Sequence, residues 1–307
     1  MGAWTVEPAR LRGIWGFPLT PFRGGAVDMA LLAELTERQI EGGVDVICAC
    51  GAIAQGEALT PAERRECLRT IATLTAGRLP VVAAFPGDED APHLAEEAMG
   101  VGVSAFLVMP VDGVVHAIED CLAAIGSAAP GIPLVLYHRP PLHLEPDDVR
   151  RLCGNIQLAG LKDGHRDVRL FRRVHAAGGE HLIWLSAWED VALPFWSLGC
   201  NAFAPASVAY APAYSRAWLA RLEAGDVAGA ARLLECHAYP MVDLRLSRPG
   251  IEISAVKAAM AASGIPAGQS RPPAARLTSA EVDRVEQLVT QLRHALQELV
   301  VGPEALA

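Results

Sequence analysis

No apolar run in this 307-residue chain approaches the ~18–20 residues that a helix needs to cross a bilayer, so a membrane-spanning helix is excluded. Basic residues are in deficit, 26 against 35 acidic ones for a formal charge of −9, and they are scattered. Neither a nucleic acid nor a polybasic membrane contact is expected, and any anionic substrate must be held by a few local cations. The seven cysteines are odd in number, lack a repeating spacing and sit mostly in apolar runs, the pattern of reduced thiols rather than of a disulfide framework. The opening Met1-Gly2-Ala3-Trp4 has no basic start followed by an apolar segment; no secretory signal is expected, and a cytoplasmic location is. No Gly-x-Gly-x-x-Gly follows the first apolar run, which weakens a dinucleotide-binding fold, and no cofactor is expected. No strand ends in His-x-His and the pair His138 and His143 is of low specificity, so no metal is expected either.

What is present is an alternation. Short apolar runs recur at residues 13–17, 44–50, 80–85, 105–109, 133–137, 156–161, 181–185 and 200–204, and helix signals follow each of them. Asp28 caps one helix that Gly42-Gly43 ends, and Thr60-Pro61-Ala62-Glu63 opens the next with a cap, a proline at its first position and an acid three residues on. Eight strand-helix units predict an α/β fold, a closed (β/α)8 TIM barrel over residues 1–207. Beyond it the strand signals stop. Helices over 212–223, 226–244, 252–263 and 279–299 predict a C-terminal helical extension, 208–307, packed on the barrel, with 267–276 as an ordered crossing around Pro272-Pro273.

In such a barrel the reactive groups gather at the C-terminal ends of the strands. That places Thr20, the 51–57 loop, Tyr137-His138-Arg139, Lys162-Asp163, His165-Arg166, Ser186 to Glu189, Ala204 and Ser207 around one mouth. Lys162 closes the run Ile156-Gln157-Leu158-Ala159-Gly160-Leu161, so its stem lies among apolar neighbours while its ammonium needs water or a partner. A lysine so placed has a lowered pKa, and its neutral amine can attack a carbonyl to form a Schiff base. Tyr137 closes Pro133-Leu134-Val135-Leu136 and supplies a phenol as a proton carrier. The plainer alternative is that both are strand-end residues with polar tips. Cys48 and Cys50 share a side-chain parity and read as core.

These residues carry a resemblance. Gly16-Phe17-Pro18-Leu19-Thr20-Pro21-Phe22, Leu59-Thr60-Pro61-Ala62-Glu63-Arg64, Leu136-Tyr137-His138-Arg139-Pro140, Ala159-Gly160-Leu161-Lys162-Asp163, Ser254-Ala255-Val256-Lys257-Ala258 and Arg271-Pro272-Pro273 resemble, in order, segments of the dihydrodipicolinate synthase and N-acetylneuraminate lyase family of Schiff-base lyases. The resemblance spans nearly the whole chain. It implies a homo-oligomeric barrel, tetramer or dimer, acting on a small 2-oxo acid, with Lys162 forming the imine and Tyr137 relaying protons. It also implies substrate contacts from Thr20, Gly51, Ala52, Ile53, His138, Arg139, Ser186 and Ala204. Within the family, Tyr137-His138-Arg139 and Lys162-Asp163-Gly164 are most similar to the 5-dehydro-4-deoxyglucarate dehydratase branch, which dehydrates and decarboxylates a sugar diacid. Arg139 with Arg166 or His165 is then expected to supply the cations that a diacid needs.

The departures also inform. Where the family has Gly-Thr-Thr-Gly-Glu, this chain has Gly51-Ala52-Ile53-Ala54-Gln55, without either hydroxyl. Leu142 stands where the synthase branch has an arginine, which disfavours lysine biosynthesis. Two other readings stay open: an aldolase or synthase joining pyruvate to an aldehyde, and a barrel that binds a keto acid without turnover.

Overall fold

The structure, a computed structural model, describes residues 4–265 and 267–301. The expectations for residues 1–3 and 302–307 lie outside the described residues. Eight parallel strands close into a barrel: β1 Gly13–Gly16, β2 Val46–Ala49, β3 Val81–Pro86, β4 Ala105–Met109, β5 Leu134–His138, β6 Leu158–Asp163, β7 Ile183–Ser186 and β8 Ala202–Phe203. Closure comes from β1, which pairs with β2 through Trp15 and Val46 and with β8 through Gly13 and Ala202. Each strand is almost wholly buried, as parallel strands covered on both faces must be. Alternate residues divide into two packed groups. Trp15, Val46, Cys48, Val82, Leu107, Val135 and Leu185 belong to one, the barrel interior, and Ile14, Ile47, Val81, Phe106, Leu136 and Leu161 pack with the surrounding helices.

The helices between the strands are α1 Met29–Glu41, α2 Pro61–Thr75, α3 Ala91–Met99, α4 Val115–Ala128, α5 Pro146–Asn155, α6 Val168–Gly178, α7 Ala192–Ser197 and α8 Pro212–Glu223. The Asp28 carboxylate accepts the Leu31 N–H at 3.1 Å, and Thr60 and Glu63 form the reciprocal cap that their spacing predicts. Although residues 212–223 read as part of the C-terminal extension, α8 follows β8 as the eighth helix of the ring, with Trp218 edge-on to Phe203 at 5.1 Å. A hairpin that the strand signals did not reveal pairs Phe22–Arg23 with Ala26–Val27. Its two-residue turn needs positive φ at both positions, which Gly24 and Gly25 adopt at 58° and 85°.

The remaining helices are α9 Val227–Leu233, α10 Tyr239–Leu246, α11 Glu252–Ala262 and α12 Ser279–Val301. The single helix expected over 226–244 is interrupted by a π-turn, Leu234–Ala238. Side chains hold that turn: the Tyr214 hydroxyl donates to Leu233 O at 2.8 Å and accepts the Ala238 N–H at 3.2 Å, and the buried His237 bridges Tyr210 and Leu288 O. The crossing at 267–276 is anchored by Arg271, which pairs with Glu63 at 2.6 and 2.8 Å, and by Lys257, which donates to Thr20 O and Gln269 O. These ties hold α11 at the barrel mouth, which α10 reaches through Arg245. Among the described residues no helix is long and apolar enough to cross a membrane.

One parity expectation is corrected. Cys48 packs in the barrel interior, whereas Cys50 packs with the helices. Cys50 has a left-handed backbone, φ 59°, and this breaks the alternation of the strand just before the 51–55 turn.

Candidate active site at the barrel mouth

A cavity of about 270 Å³ opens at the C-terminal ends of the strands, with Lys162 and Tyr137 in its wall beside Phe17, Ala52, Ile53 and Ala204. β5 and β6 pair in register, Tyr137 opposite Lys162, so both side chains point inward from neighbouring strands. The Lys162 nitrogen lies 4.2 Å from the centre of the Phe17 ring and 4.4 Å from that of Tyr137. Burial lowers its pKa to about 8; Cys48 opposes the shift and the charge of Arg139 adds to it. Burial acts oppositely on Tyr137, pushing the phenol up to about 12, so it stays a proton donor at neutral pH.

The chain has two lysines, and both are buried. Lys257 is likewise lowered to about 8 by burial, but its ammonium is hydrogen-bonded to Thr20 O at 2.8 Å and Gln269 O at 2.9 Å. Among the described residues Lys162 has no such hydrogen bond and faces the cavity.

Arg139 also lines the cavity, its guanidinium 5.1 Å above the Tyr137 ring and paired with Glu57 at 2.5 Å. A second cation there, Arg245 of α10, escaped the sequence reading; it lies at 4.7 Å over Trp188, which the 186–189 segment brings to the mouth as expected. Nothing local marks Arg245, because the π-turn before α10 decides which way that helix faces. The backbone N–H groups of Ala52 and Ile53 open the 3-10 turn Ala52–Ala54, where no intrahelical acceptor is available to them.

The other expected contacts stand outside this wall. The Thr20 hydroxyl donates to Ala54 O at 2.6 Å and braces the turn from behind. Gly51 packs on Phe17, where a Cβ would lie 2.6 Å from the ring. The Ser186 hydroxyl is turned onto Trp188 O at 2.9 Å. Arg166 is held by Asp190, and His165 by Leu142 O at 2.9 Å. His138 faces outward, with its Nε2 accepting the Leu144 N–H at 2.9 Å. It forms a cluster with His143 and His165 whose ligand nitrogens lie within 4.8 Å of one another. Since Nε2 of His138 accepts a hydrogen bond from the Leu144 N–H, the neutral ring carries its proton on Nδ1, and a metal bound at Nδ1 would have to displace that proton. Burial holds His138 neutral, its pKa down to about 3.

The turn that departs from Gly-Thr-Thr-Gly-Glu is ordered by Gln55. Its amide donates to Arg271 O at 2.8 Å and accepts the Arg271 N–H at 3.3 Å, a two-way clamp that a carboxylate cannot make. Gly56 follows where a Cβ would meet Cys50 O at 1.8 Å.

The sequence profile of the dihydrodipicolinate synthetase family matches residues 10–292. The chain belongs to that family. It is similar to a Streptomyces avermitilis protein named probable 5-dehydro-4-deoxyglucarate dehydratase 1, with 32% identity over 92% of this chain and 94% of the relative. A Streptomyces coelicolor protein named probable 5-dehydro-4-deoxyglucarate dehydratase 2 is 34% identical over 90% of this chain and 88% of its own length. Among solved structures, dihydrodipicolinate synthase from Bacillus clausii superposes with a TM-score of 0.87 at 26% identity, covering 93% of this chain and 99% of that one.

Proposed function

We propose that this member of the dihydrodipicolinate synthetase family is a lyase that binds a 2-oxo acid as a Schiff base on Lys162 and dehydrates a sugar-derived keto acid, as the names of its relatives indicate for them. The observation that carries the reading is the Lys162 amine, packed against two aromatic rings with its pKa lowered by burial, on the wall of a cavity that also offers cations. The neutral amine adds to the 2-oxo carbon, and with one proton taken up from Tyr137 or solvent the oxygen leaves as water, giving a protonated imine. That imine draws electrons from the adjacent carbon, so a proton is lost there and the hydroxyl one carbon further departs as water. Tyr137, protonated and beside the amine, hands protons to the departing oxygen and takes them back.

The carboxylate next to the imine is assigned to Arg139 and to the amides of Ala52 and Ile53, which do not depend on the two missing hydroxyls. Thr20 and Gly51 serve by shaping that turn and Ala204 by closing the wall; His138 and Ser186 support neighbouring backbone. Leu142 is fully buried where the synthase branch has a cation, which favours the dehydratase over the synthase. A homo-oligomer, dimer or tetramer, is part of the proposal: Val111 and Val114, 54% and 55% exposed after β4, are apolar surface that a second copy would cover. A cytoplasmic location is too, in keeping with seven free thiols.

The test is turnover of 5-dehydro-4-deoxyglucarate, followed by release of carbon dioxide. Wild-type protein should release it and Lys162→Ala should not. If pyruvate with an aldehyde is consumed and the diacid is not, the aldolase reading takes its place; turnover of neither leaves a binding protein.

A further inference from the structure

We infer that Arg245, seated on Trp188, is a subsite for a second carboxylate, so that the cavity selects dicarboxylic 2-oxo acids over monocarboxylic ones. This rests on the reading of the cavity as a 2-oxo acid site. Arg245 is only 4% exposed, yet its guanidinium is poorly satisfied. Its one hydrogen bond among the described residues runs from Nη1 to Glu189 Oε2 at 3.5 Å, the long limit for such a contact, and its Nε is buried with no partner. A guanidinium taken out of water normally spends its donors on acceptors, because each buried donor left over is costly.

Glu189 cannot close on it. The other carboxylate oxygen is held by the Ser207 N–H at 3.1 Å, so Glu189 neutralises Arg245 from one side only, while the arginine lines the cavity. Trp188 fixes the plane of the fork from below, and that ring is itself flanked by Arg166 at 5.3 Å, which Asp190 holds. A rigid guanidinium edge, desolvated and unused, is what two-point recognition of a carboxylate requires.

Its position decides which carboxylate. Arg139 lies 5.1 Å over the Tyr137 ring that adjoins the Lys162 nitrogen, so it is assigned the end of the substrate joined to the lysine. Arg245, which lines the same cavity from α10 on Trp188, is assigned the other end. The cations expected beside Arg139 from the sequence, Arg166 or His165, are both spent on protein groups.

The experiment compares 2-oxoadipate with 2-oxohexanoate, which differ in one terminal carboxylate, by calorimetric titration of the full chain. Wild-type protein should bind the diacid at least tenfold more tightly. Arg245→Met should bring that ratio within twofold while changing 2-oxohexanoate affinity less than threefold, and Arg245→Lys should keep an intermediate ratio. Equal affinities in wild type, no measurable diacid binding, or a ratio that survives Arg245→Met would overturn the inference. The wild-type comparison decides even if a variant fails to fold. Borohydride reduction of the same mixtures separates the two readings: a diacid preference without an adduct sinks the Schiff base and leaves the subsite standing.

Discussion

The Lys162 nitrogen and the centre of the Tyr137 ring are 4.4 Å apart, and among the described residues no carboxylate lies within ion-pair distance of that nitrogen. The amine is therefore governed first by burial, with Cys48 opposing the shift and the charge of Arg139 adding to it, and not by a carboxylate counter-ion. Its pKa of about 8 against an ordinary 10.5 gives roughly 300-fold more neutral amine at pH 7. The rate of imine formation with pyruvate should rise with pH and level off above about 8. A rate still climbing through pH 10 would show an ordinary lysine.

Gly51 controls the same amine at one remove. A methyl added there meets the Phe17 ring at 2.6 Å, so the packing of that ring on Lys162 must change. Gly51→Ala should move the midpoint of the pH profile upward and, for a shift of one unit, cut the rate at pH 7 roughly tenfold. A profile unchanged from wild type would mean that Phe17 does not set the lysine.

Arg139 should matter for binding. Removing a charged hydrogen bond to a carboxylate costs about 1.5–3 kcal/mol, so Arg139→Met should raise the pyruvate concentration for half-maximal trapping roughly 10- to 150-fold. Its pairing with Glu57 leaves a buried Nε without a partner. Unchanged half-saturation would make Arg139 a surface ion pair and nothing more.

Gln55→Glu tests the reshaped turn. A carboxylate accepts the Arg271 N–H but cannot donate to Arg271 O, so the change should cost about 1–3 kcal/mol in urea unfolding. A variant as stable as wild type would show that the clamp carries no weight.

The barrel was legible because its strands are buried on both faces and so read as unbroken apolar runs. Thr60 and Glu63 marked a helix start because a cap is a local device. Lys162 and Tyr137 stood out as polar groups closing apolar strands. Three features were hidden for a common reason, dependence on tertiary contacts. The left-handed backbone at Cys50 reverses a parity that the sequence implies, and the Tyr214 hydroxyl holds a π-turn where periodicity reads one helix. That turn in turn aims Arg245 at a mouth built from strands far earlier in the chain. Ser186 and His138 had the right position for substrate contact, but their side chains are hydrogen-bonded to nearby backbone instead.

With Lys162 and Lys257 as its two lysines, the chain permits an unambiguous test of the amine. Protein incubated with pyruvate and borohydride is digested and the modified peptide identified by mass. The account predicts a reduced adduct on the peptide carrying Lys162 and none in Lys162→Ala. Modification at Lys257, or labelling that persists in Lys162→Ala, would contradict it.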